Sequence, residues 1–339
     1  AHCVLGSLLQ STAQFEEAKQ AFEAAITCPQ PSCSAFFQLS NQATPDQAQE
    51  WLAEINALEK SARPERELID LHFAKANLLI KLGQTDAASQ ALKTANHLKL
   101  KRYGTDRDHY IQTTKELIEN GSPAAAEAGL SEHRLFIVGM VRSGSTLTES
   151  ILSMNPEAQD LGETNALPVA YQQWCSGNEA LSLDQLYSER VGASDTTNAA
   201  TITIDKNLYN YRFATIIGRQ MPRARIIHCY RHPLDNILSM QRAHFSNGNR
   251  YASSVEDSAY VLLNQHDAMR YAKSLFPDQI YSQNYDKLVA DPDHEIRRLT
   301  AWLGWPWDDR YLNPHRNERS INTASVIQAR SAINARSVG

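Results

Sequence analysis

The sequence lacks several features that would restrict where this protein works. No apolar run approaches the roughly 20 residues that a membrane-spanning helix needs, and no secretory signal is visible. The five cysteines are odd in number and scattered along the chain, which favours reduced thiols over a disulfide framework. A net charge of −5 argues against a general nucleic-acid binder. We therefore expect a cytoplasmic protein without a membrane span or a nucleic-acid partner.

A chain of 339 residues is long enough for two domains, and its first part has the pattern of helical repeats. The small and aromatic residues of Phe15–Ala25 match the spacing of a tetratricopeptide repeat, in which such positions let two helices pack closely. A second match covers Phe73–Ala95. The equivalent residues Ala18 and Ala88 lie 70 positions apart, close to two periods of about 34 residues. An unrelated helical bundle is the alternative.

The pattern changes after residue 120, where the helical periodicity fades. Residues 121–132 have the composition of a linker. From residue 133 onward, short apolar runs alternate with helical segments, and the predicted strands are 135–138, 201–204, 225–230 and 279–282. This alternation predicts a three-layer α/β domain with a mainly parallel sheet. The expected order is an all-α repeat domain at 1–120, the linker, and the α/β domain at 133–339.

A glycine-rich segment, which we call the phosphate loop, follows the first predicted strand. It is Gly139-Met140-Val141-Arg142-Ser143-Gly144-Ser145-Thr146, with the spacing of G-x4-G-K-[ST], but Ser145 occupies the place of the lysine. The backbone N–H groups of such a loop and of the helix that follows it favour an anion. The absence of the lysine argues against a nucleoside triphosphate, and Arg142 supplies the positive charge instead.

The phosphate loop resembles the segment that binds the 5′-phosphosulfate in sulfotransferases that use 3′-phosphoadenosine 5′-phosphosulfate (PAPS). The resemblance is strongest to the tyrosylprotein branch and to bacterial relatives with fused tetratricopeptide repeats, and it covers residues 133–339. It implies a P-loop-like fold, release of adenosine 3′,5′-bisphosphate, and no requirement for a metal. It also implies that the donor is bound by Arg142, Ser143, Gly144, Ser145 and Thr146.

An arginine and a serine follow the predicted strand 225–230. An arginine at the carboxyl end of such a strand, as Arg231 is, lies at the ligand-binding edge of an α/β sheet. Pro233 suits the first turn of the next helix, which places Ser239 about two turns further on. The resemblance implies that Arg231 and Ser239 hold the 3′-phosphate of PAPS. Taken without the resemblance, such a pair is more often a surface feature.

Two further positions are candidates for catalysis. A carboxylate shortly after the phosphate helix, Glu163, could accept the proton of the acceptor, and the resemblance implies this role. The match is imperfect, because the interval Gly162–Pro168 is one residue shorter than in the family. Lys206 follows the predicted strand 201–204 and could stabilise the charge of the leaving phosphate. An N-cap or salt bridge for Glu163 and an exposed strand end for Lys206 are the alternatives.

The remaining candidates rest on the resemblance alone. Tyr285 resembles the tyrosine that lies beside the nucleotide base. The C-terminal stretch resembles a loop that folds over the donor, which implies that Ser325 contacts the sulfuryl group and that Arg336 contacts the 3′-phosphate.

The expected function is transfer of a sulfuryl group from PAPS to an acceptor hydroxyl. The candidate acceptors are a protein tyrosine, held as a peptide or protein by the repeat domain, and a glycan, lipid or metabolite hydroxyl. Two other functions remain open at this point: a P-loop nucleotide kinase, and a catalytically inactive repeat protein that binds peptides.

Overall fold

The computed structural model describes most of the chain, which forms two compact units. The helical unit comprises Ala1–Arg107 and Ile237–Ser258, and the α/β unit comprises Asp108–Asn236 with the described residues from Ala259 onwards. No helix within the described ranges is long and apolar enough to cross a membrane. The described residues are 1–12, 14–119, 133–177, 181–192, 202–245, 248–317 and 332–334.

The helical unit begins with a series of helices separated by short turns. Side chains cap two of these helices at the start: Ser32 accepts a hydrogen bond from Ala35 N, and Thr44 forms a capping box with Gln47. The helices are α1 (His2–Ser11), α2 (Phe15–Ile26), α3 (Cys33–Ser40), α4 (Pro45–Glu59), α5 (Glu65–Lys81) and α6 (Thr85–Tyr103).

Small residues allow these helices to pack closely. A Cβ atom on Gly6 would lie 2.7 Å from the ring of Phe22, so the approach of α1 to α2 depends on the glycine. Ala76 and Ala88 are buried where α5 packs against α6. Phe36 lies fully buried in the core that α2, α3, α4 and α5 share. This packing confirms the prediction of an all-α region, which rested on these small and aromatic positions.

The helical unit also contains residues 237–258, which we call the returning segment because they rejoin this unit from far along the chain. His244 in this segment lies against α5: its Nε2 atom is 2.7 Å from Asp70 Oδ1, and its ring stacks on Phe73 with centroids 4.5 Å apart. The ring of Phe37, from α3, meets the same imidazole edge-on. The imidazole is therefore enclosed by two aromatic rings and a carboxylate.

Helix α6 holds the backbone of the returning segment. Asn96 Nδ2 donates a hydrogen bond to Gln241 O at 2.9 Å, and Lys99 Nζ donates one to Phe245 O at 2.6 Å. Burial lowers the pKa of Lys99 to about 8, and this effect exceeds the opposing attraction of nearby carboxylates. Two polar side chains of α6 thus satisfy carbonyl groups that buried backbone must not leave unpaired.

In its described residues, the α/β unit contains five strands, the helices that cover them, and the 3₁₀ turns Leu208–Phe213, Asp309–Leu312 and Pro314–Arg316. The strands are β1 (His133–Gly139), β2 (Ala158–Gly162), β3 (Ile202–Asp205), β4 (Arg225–Tyr230) and β5 (Ile280–Asn284). The helices are α7 (Arg107–Glu119), α8 (Ser145–Leu152), α9 (Ala166–Cys175), α10 (Leu183–Gly192), α11 (Ala214–Gln220), α12 (Pro233–Arg242), α13 (Val255–Leu275), α14 (Tyr285–Ala290) and α15 (Pro292–Leu303). Three of them cross the division between the units: α7 and α13 begin in the helical unit, and α12 ends in it.

All strand pairings described in the sheet are parallel, in the order β2-β3-β1-β4-β5. In this register Gly139 pairs with Cys229, and Tyr230 pairs with Asn284. The prediction of a mainly parallel sheet is therefore confirmed. Strand β2 was not predicted from the sequence, because it is a half-buried edge strand without an apolar run.

Side chains of β1 alternate between the two faces of the sheet. Phe136 and Val138 join the core formed with α9, α10, α11 and α13. Leu135 and Ile137 join a second core, to which α8 and α15 contribute Leu152 and Leu299. A strand buried on both faces reads as a continuous apolar run, which is the pattern that the sequence shows here. The α/β unit therefore has the three layers that were predicted.

His228, on β4, is an ionisable group buried between the sheet and α13. Its Nε2 atom accepts a hydrogen bond from the Gln265 side chain at 2.9 Å. Burial lowers the pKa of His228 to about 3, and the neighbouring His266 adds to the effect. The folded state therefore binds this proton far less readily than the unfolded chain does.

We expect this histidine to make the fold sensitive to acid. As the pH falls below the ordinary histidine pKa of 6.5, His228 binds a proton in the unfolded chain but stays neutral in the folded state. Stability is thus lost on acidification, by on the order of 2–3 kcal/mol between pH 7 and pH 4.5. Denaturant unfolding of a His228→Gln variant should show a pH dependence weaker by this amount. A His294→Gln control, at an exposed position, should behave as the parent chain; an unchanged dependence in His228→Gln would contradict the assignment.

Candidate functional site

The predicted site residues of the α/β unit follow the carboxyl ends of its five strands. The phosphate loop follows β1, Glu163 follows β2, Lys206 follows β3, Arg231 follows β4, and Tyr285 follows β5. Because the strands are parallel, these carboxyl ends meet at one edge of the sheet, which is where open α/β sheets bind ligands. The structure therefore brings five separated positions of the sequence to the same edge.

The backbone of the phosphate loop has a conformation that requires its glycines. Gly139 has φ +148°, and a Cβ atom there would lie 2.3 Å from Cys229 O. Gly144 has φ +91°, and a Cβ atom there would lie 2.2 Å from the ring of Tyr285. Arg142 also has a left-handed backbone, with φ +69°, which costs a non-glycine residue free energy. Such strain is typical of loops shaped for a ligand.

The start of α8 offers hydrogen-bond donors to an anion. Gly144 is the N-cap, and Ser145 and Thr146 begin the helix, whose first N–H groups have no partner within the helix. Ser143 Oγ is buried and has no hydrogen-bond partner among the described residues. A buried hydroxyl group next to a helix N-terminus fits an anionic group such as the phosphosulfate of PAPS. The residues present therefore fit the donor that the sequence predicts.

Arg231 is buried directly after β4 and lies beside Tyr285, the ring that contacts Gly144 of the phosphate loop. Its guanidinium carbon lies 4.9 Å from the centre of the Tyr285 ring, and its Nη2 atom is 3.7 Å from Asp235 Oδ2. A planar guanidinium held by an aromatic face and a carboxylate keeps a fixed orientation. Ser239 lies on α12, which begins two residues after Arg231, and is half-buried.

Two side chains that the sequence did not single out hold these loops in place. Asn236 is buried on α12, and its Nδ2 atom donates a hydrogen bond of 2.8 Å to Val141 O, next to the strained Arg142. Asp286 Oδ2 accepts a hydrogen bond of 2.7 Å from His232 N, directly after Arg231. These contacts join the ends of β1, β4 and β5.

Lys206 and Glu163, predicted separately, are in contact. Lys206 Nζ lies 2.6 Å from Glu163 Oε1. The lysine side chain is 1% exposed, whereas the Glu163 side chain is 53% exposed. A second carboxylate, Glu149 on α8, has its Oε2 atom 3.9 Å from the same Nζ atom and is 2% exposed. The lysine is therefore flanked by one buried and one solvent-exposed carboxylate.

Asp205, the residue before Lys206, serves the fold at this edge. Its carboxylate accepts hydrogen bonds from Tyr187 Oη, Asn207 N and Asn210 Nδ2. Burial raises the pKa of Asp205 to about 7, although these hydrogen bonds and the nearby lysine oppose the rise. The bonded carboxyl fixes the end of β3, from which Lys206 projects.

Glu149 is a further charged residue of this site that sequence reasoning missed. The structure supplies the reason for its contact, because almost every residue of α8 is buried and a carboxylate in such a helix needs a cation. Two predicted residues cannot be placed: Ser325 and Arg336 lie outside the described residues.

Comparison with known proteins identifies the family. Residues 134–309, more than half of the chain, match the model of the sulfotransferase family. The chain belongs to the sulfotransferase family. Within the helical unit, residues 1–27 and 69–101 match the tetratricopeptide repeat, at the two stretches predicted from the sequence. The returning segment falls inside the stretch that matches the sulfotransferase family, although it packs in the helical unit.

Several curated proteins resemble this member of the sulfotransferase family. An uncharacterized protein of Aquifex aeolicus is 29% identical over 98% of this chain and 47% of its own length. A putative protein-tyrosine sulfotransferase of Caenorhabditis briggsae is 26% identical over 61% of this chain and 80% of its own length. Protein-tyrosine sulfotransferase 1 of Danio rerio is 24% identical over 53% of this chain and 55% of its own length. The chain thus spans about half the length of the Aquifex relative.

Solved sulfotransferase structures are also similar. The sulfotransferase domain from the curacin biosynthetic pathway matches with a TM-score of 0.48 and 18% identity, over 62% of this chain and 90% of that domain. The corresponding domain of the Synechococcus PCC 7002 olefin synthase matches with a TM-score of 0.48 and 16% identity, over 64% of this chain and 89% of that domain.

Proposed function

We propose that this chain transfers the sulfuryl group of PAPS to an acceptor hydroxyl and releases adenosine 3′,5′-bisphosphate. The observation that carries the proposal is the contact of 2.6 Å between Lys206 and Glu163, at the sheet edge where the lysine-free phosphate loop lies. A cation for the leaving group and a base for the acceptor are the two groups that such a transfer needs, and here they are adjacent.

The donor end of the site would bind charge. The phosphate loop and the first turn of α8 would hold the 5′-phosphosulfate, with Arg142 adding positive charge. Lys206 would donate a hydrogen bond to the bridging oxygen as the bond between sulfur and that oxygen breaks, where negative charge develops. The sulfuryl group carries less charge than a phosphoryl group, so we propose that these cations and amides suffice without a metal.

The acceptor end of the site would move a proton. As the acceptor oxygen forms its bond to sulfur, its hydroxyl proton would pass to Glu163. This step requires Glu163 to leave its contact with Lys206, and its exposed side chain has the freedom to do so. Lys206 then turns its hydrogen bond to the bridging oxygen. Binding of the donor would therefore release Glu163 from Lys206 and free it to accept the proton.

A protein tyrosine is the acceptor that we favour. The relatives from C. briggsae and D. rerio are named as protein-tyrosine sulfotransferases, and tetratricopeptide repeats form surfaces that bind peptides. The returning segment occupies the side of α5 and α6 that Asp70 and Lys99 face, so a peptide would bind elsewhere on the repeats. Incubation with radiolabelled PAPS and a panel of tyrosine peptides tests this choice; labelling only of glycans or lipids would reject it.

Two other functions fit the site less well. A nucleotide kinase would need a lysine where the phosphate loop has Ser145. A catalytically inactive peptide-binding protein would not need a lysine and a carboxylate in contact at the sheet edge where the phosphate loop lies.

The nucleotide specificity gives the first test of the proposal. We expect calorimetric titration to show much tighter binding of adenosine 3′,5′-bisphosphate than of AMP, without Mg²⁺. Loss of the charge-assisted contact in Arg231→Ala should weaken binding of the bisphosphate by roughly 10–100-fold, equivalent to about 1.5–3 kcal/mol, and leave AMP binding almost unchanged.

The matched control is Arg223→Ala, which removes an exposed arginine in the turn before β4. It changes the net charge equally and should bind the bisphosphate as the parent chain does. Equal affinities of the parent chain for AMP and for the bisphosphate would remove the 3′-phosphate assignment of Arg231 and Ser239.

A further inference from the structure

Glu149 is a buried carboxylate that the proposed reaction does not yet use. Its side chain is 2% exposed, and its Oε2 atom lies 3.9 Å from Lys206 Nζ. Lys206 is itself 1% exposed. A buried ammonium group without an opposite charge is strongly destabilised, so the carboxylates around Lys206 decide whether it remains charged.

The two carboxylates next to Lys206 differ in their freedom to move. Glu163 makes the shorter contact, at 2.6 Å, but more than half of its side chain is exposed. Glu149 lies on α8, in a helix that is buried on nearly every side, and cannot turn away. When Glu163 leaves to accept a proton, Glu149 is the carboxylate that stays beside the lysine.

We propose that Glu149 is a positioning residue that keeps Lys206 charged and in place while Glu163 acts as the base. The inference rests on the proposed function, because it assigns Glu149 a part in the same transfer. Glu149 touches neither reacting group; it acts through the lysine. Two carboxylates thereby divide two tasks, since the exposed one accepts the proton of the acceptor and the buried one stays beside the lysine.

The other ionisable groups near this pair do not replace Glu149. Asp205 precedes Lys206, but its carboxylate is bonded to Tyr187, Asn207 and Asn210, and burial raises its pKa to about 7. Cys229, on β4, donates to Thr148 Oγ1 at 3.4 Å, and burial raises its pKa to about 12, so it stays a neutral thiol.

The pH dependence of transfer tests the positioning role. Without the Glu149 charge, protonated Lys206 is less favourable, so the alkaline limb of the kcat profile of Glu149→Gln should move down by about one to two pH units. Glu149→Asp, which restores the charge, should recover most of the shift. A Glu157→Gln control removes an exposed carboxylate before β2 and should leave the limb in place. An unmoved limb in Glu149→Gln overturns the proposal.

A stability cycle tests the pairing without any activity. Glu149→Gln leaves the buried ammonium group with only the exposed Glu163 as its counter-charge, and Lys206→Met removes that group, so the double variant should be more stable than Glu149→Gln alone. We expect its unfolding equilibrium constant to differ from the additive value by roughly 10-fold. Additive effects would overturn the pairing. A parent chain that transfers no sulfuryl group would instead refute the proposed function, whatever the cycle shows.

Discussion

Glu163→Gln is expected to lower the rate of sulfuryl transfer by about 10²–10⁴-fold. Glutamine keeps the shape of the side chain and can still accept the hydrogen bond that Lys206 Nζ donates at 2.6 Å, but it cannot accept the proton of the acceptor. Affinity for adenosine 3′,5′-bisphosphate should therefore change little. Initial rates with radiolabelled PAPS and calorimetric titration with the bisphosphate measure the two quantities.

Glu189→Gln is a suitable control for this variant. It removes an exposed carboxylate on α10 and should transfer at the rate of the parent chain. If Glu163→Gln retains near-normal transfer at neutral pH, the base is another residue. The interval Gly162–Pro168, which is one residue shorter than in the family that the sequence resembles, would then explain the misassignment.

Lys206→Met should lower the rate with PAPS by about 10²–10³-fold, because it removes a donor aimed at charge that develops only in the transition state. Methionine keeps most of the buried volume, so the loss reports the charge rather than a cavity. The loss should shrink with a nitro-substituted aryl sulfate as the donor, because a better leaving group needs less stabilisation.

Comparison of the two variants separates their roles. Glu163 acts on the acceptor, so Glu163→Gln should lose the same factor with either donor. Lys206 acts on the leaving group, so only Lys206→Met should depend on the donor. Equal losses of Lys206→Met with PAPS and with the aryl sulfate would show that the lysine does not act on the leaving oxygen.

The parts of the site that the sequence predicted are those with a local signature. A strand followed by a glycine-rich turn identified the phosphate loop. Charged residues just after an apolar strand, together with the family resemblance, identified Lys206 and Arg231. Pro233 marks the first residue of α12 in the structure, as expected from its fixed φ. The roles of these residues stay predictions, whereas their common position at one edge follows from the parallel sheet.

The parts that the sequence could not predict depend on contacts between distant elements. Strand β2 lacks the alternation of apolar and polar residues that marks a strand, because it lies half-buried at the edge of the sheet. The contact of Glu149 with Lys206 joins α8 to β3, and the hydrogen bond of Asn236 to Val141 joins α12 to the phosphate loop. No local pattern reports such pairings; only the register of the sheet does.

The returning segment has a consequence for how this protein could be recombined. Its His244 and Phe245 rely on Asp70 and Lys99, which precede them by more than 140 residues. A catalytic half grafted from another sulfotransferase would bring a different sequence at positions 237–258. Asp70 on α5 would then lose its partner His244, and the buried Lys99 on α6 could lose its acceptor. The boundary for a functional chimera therefore does not run between the repeats and the family match. A functional chimera must therefore take residues 237–258 and helices α5 and α6 from the same parent protein.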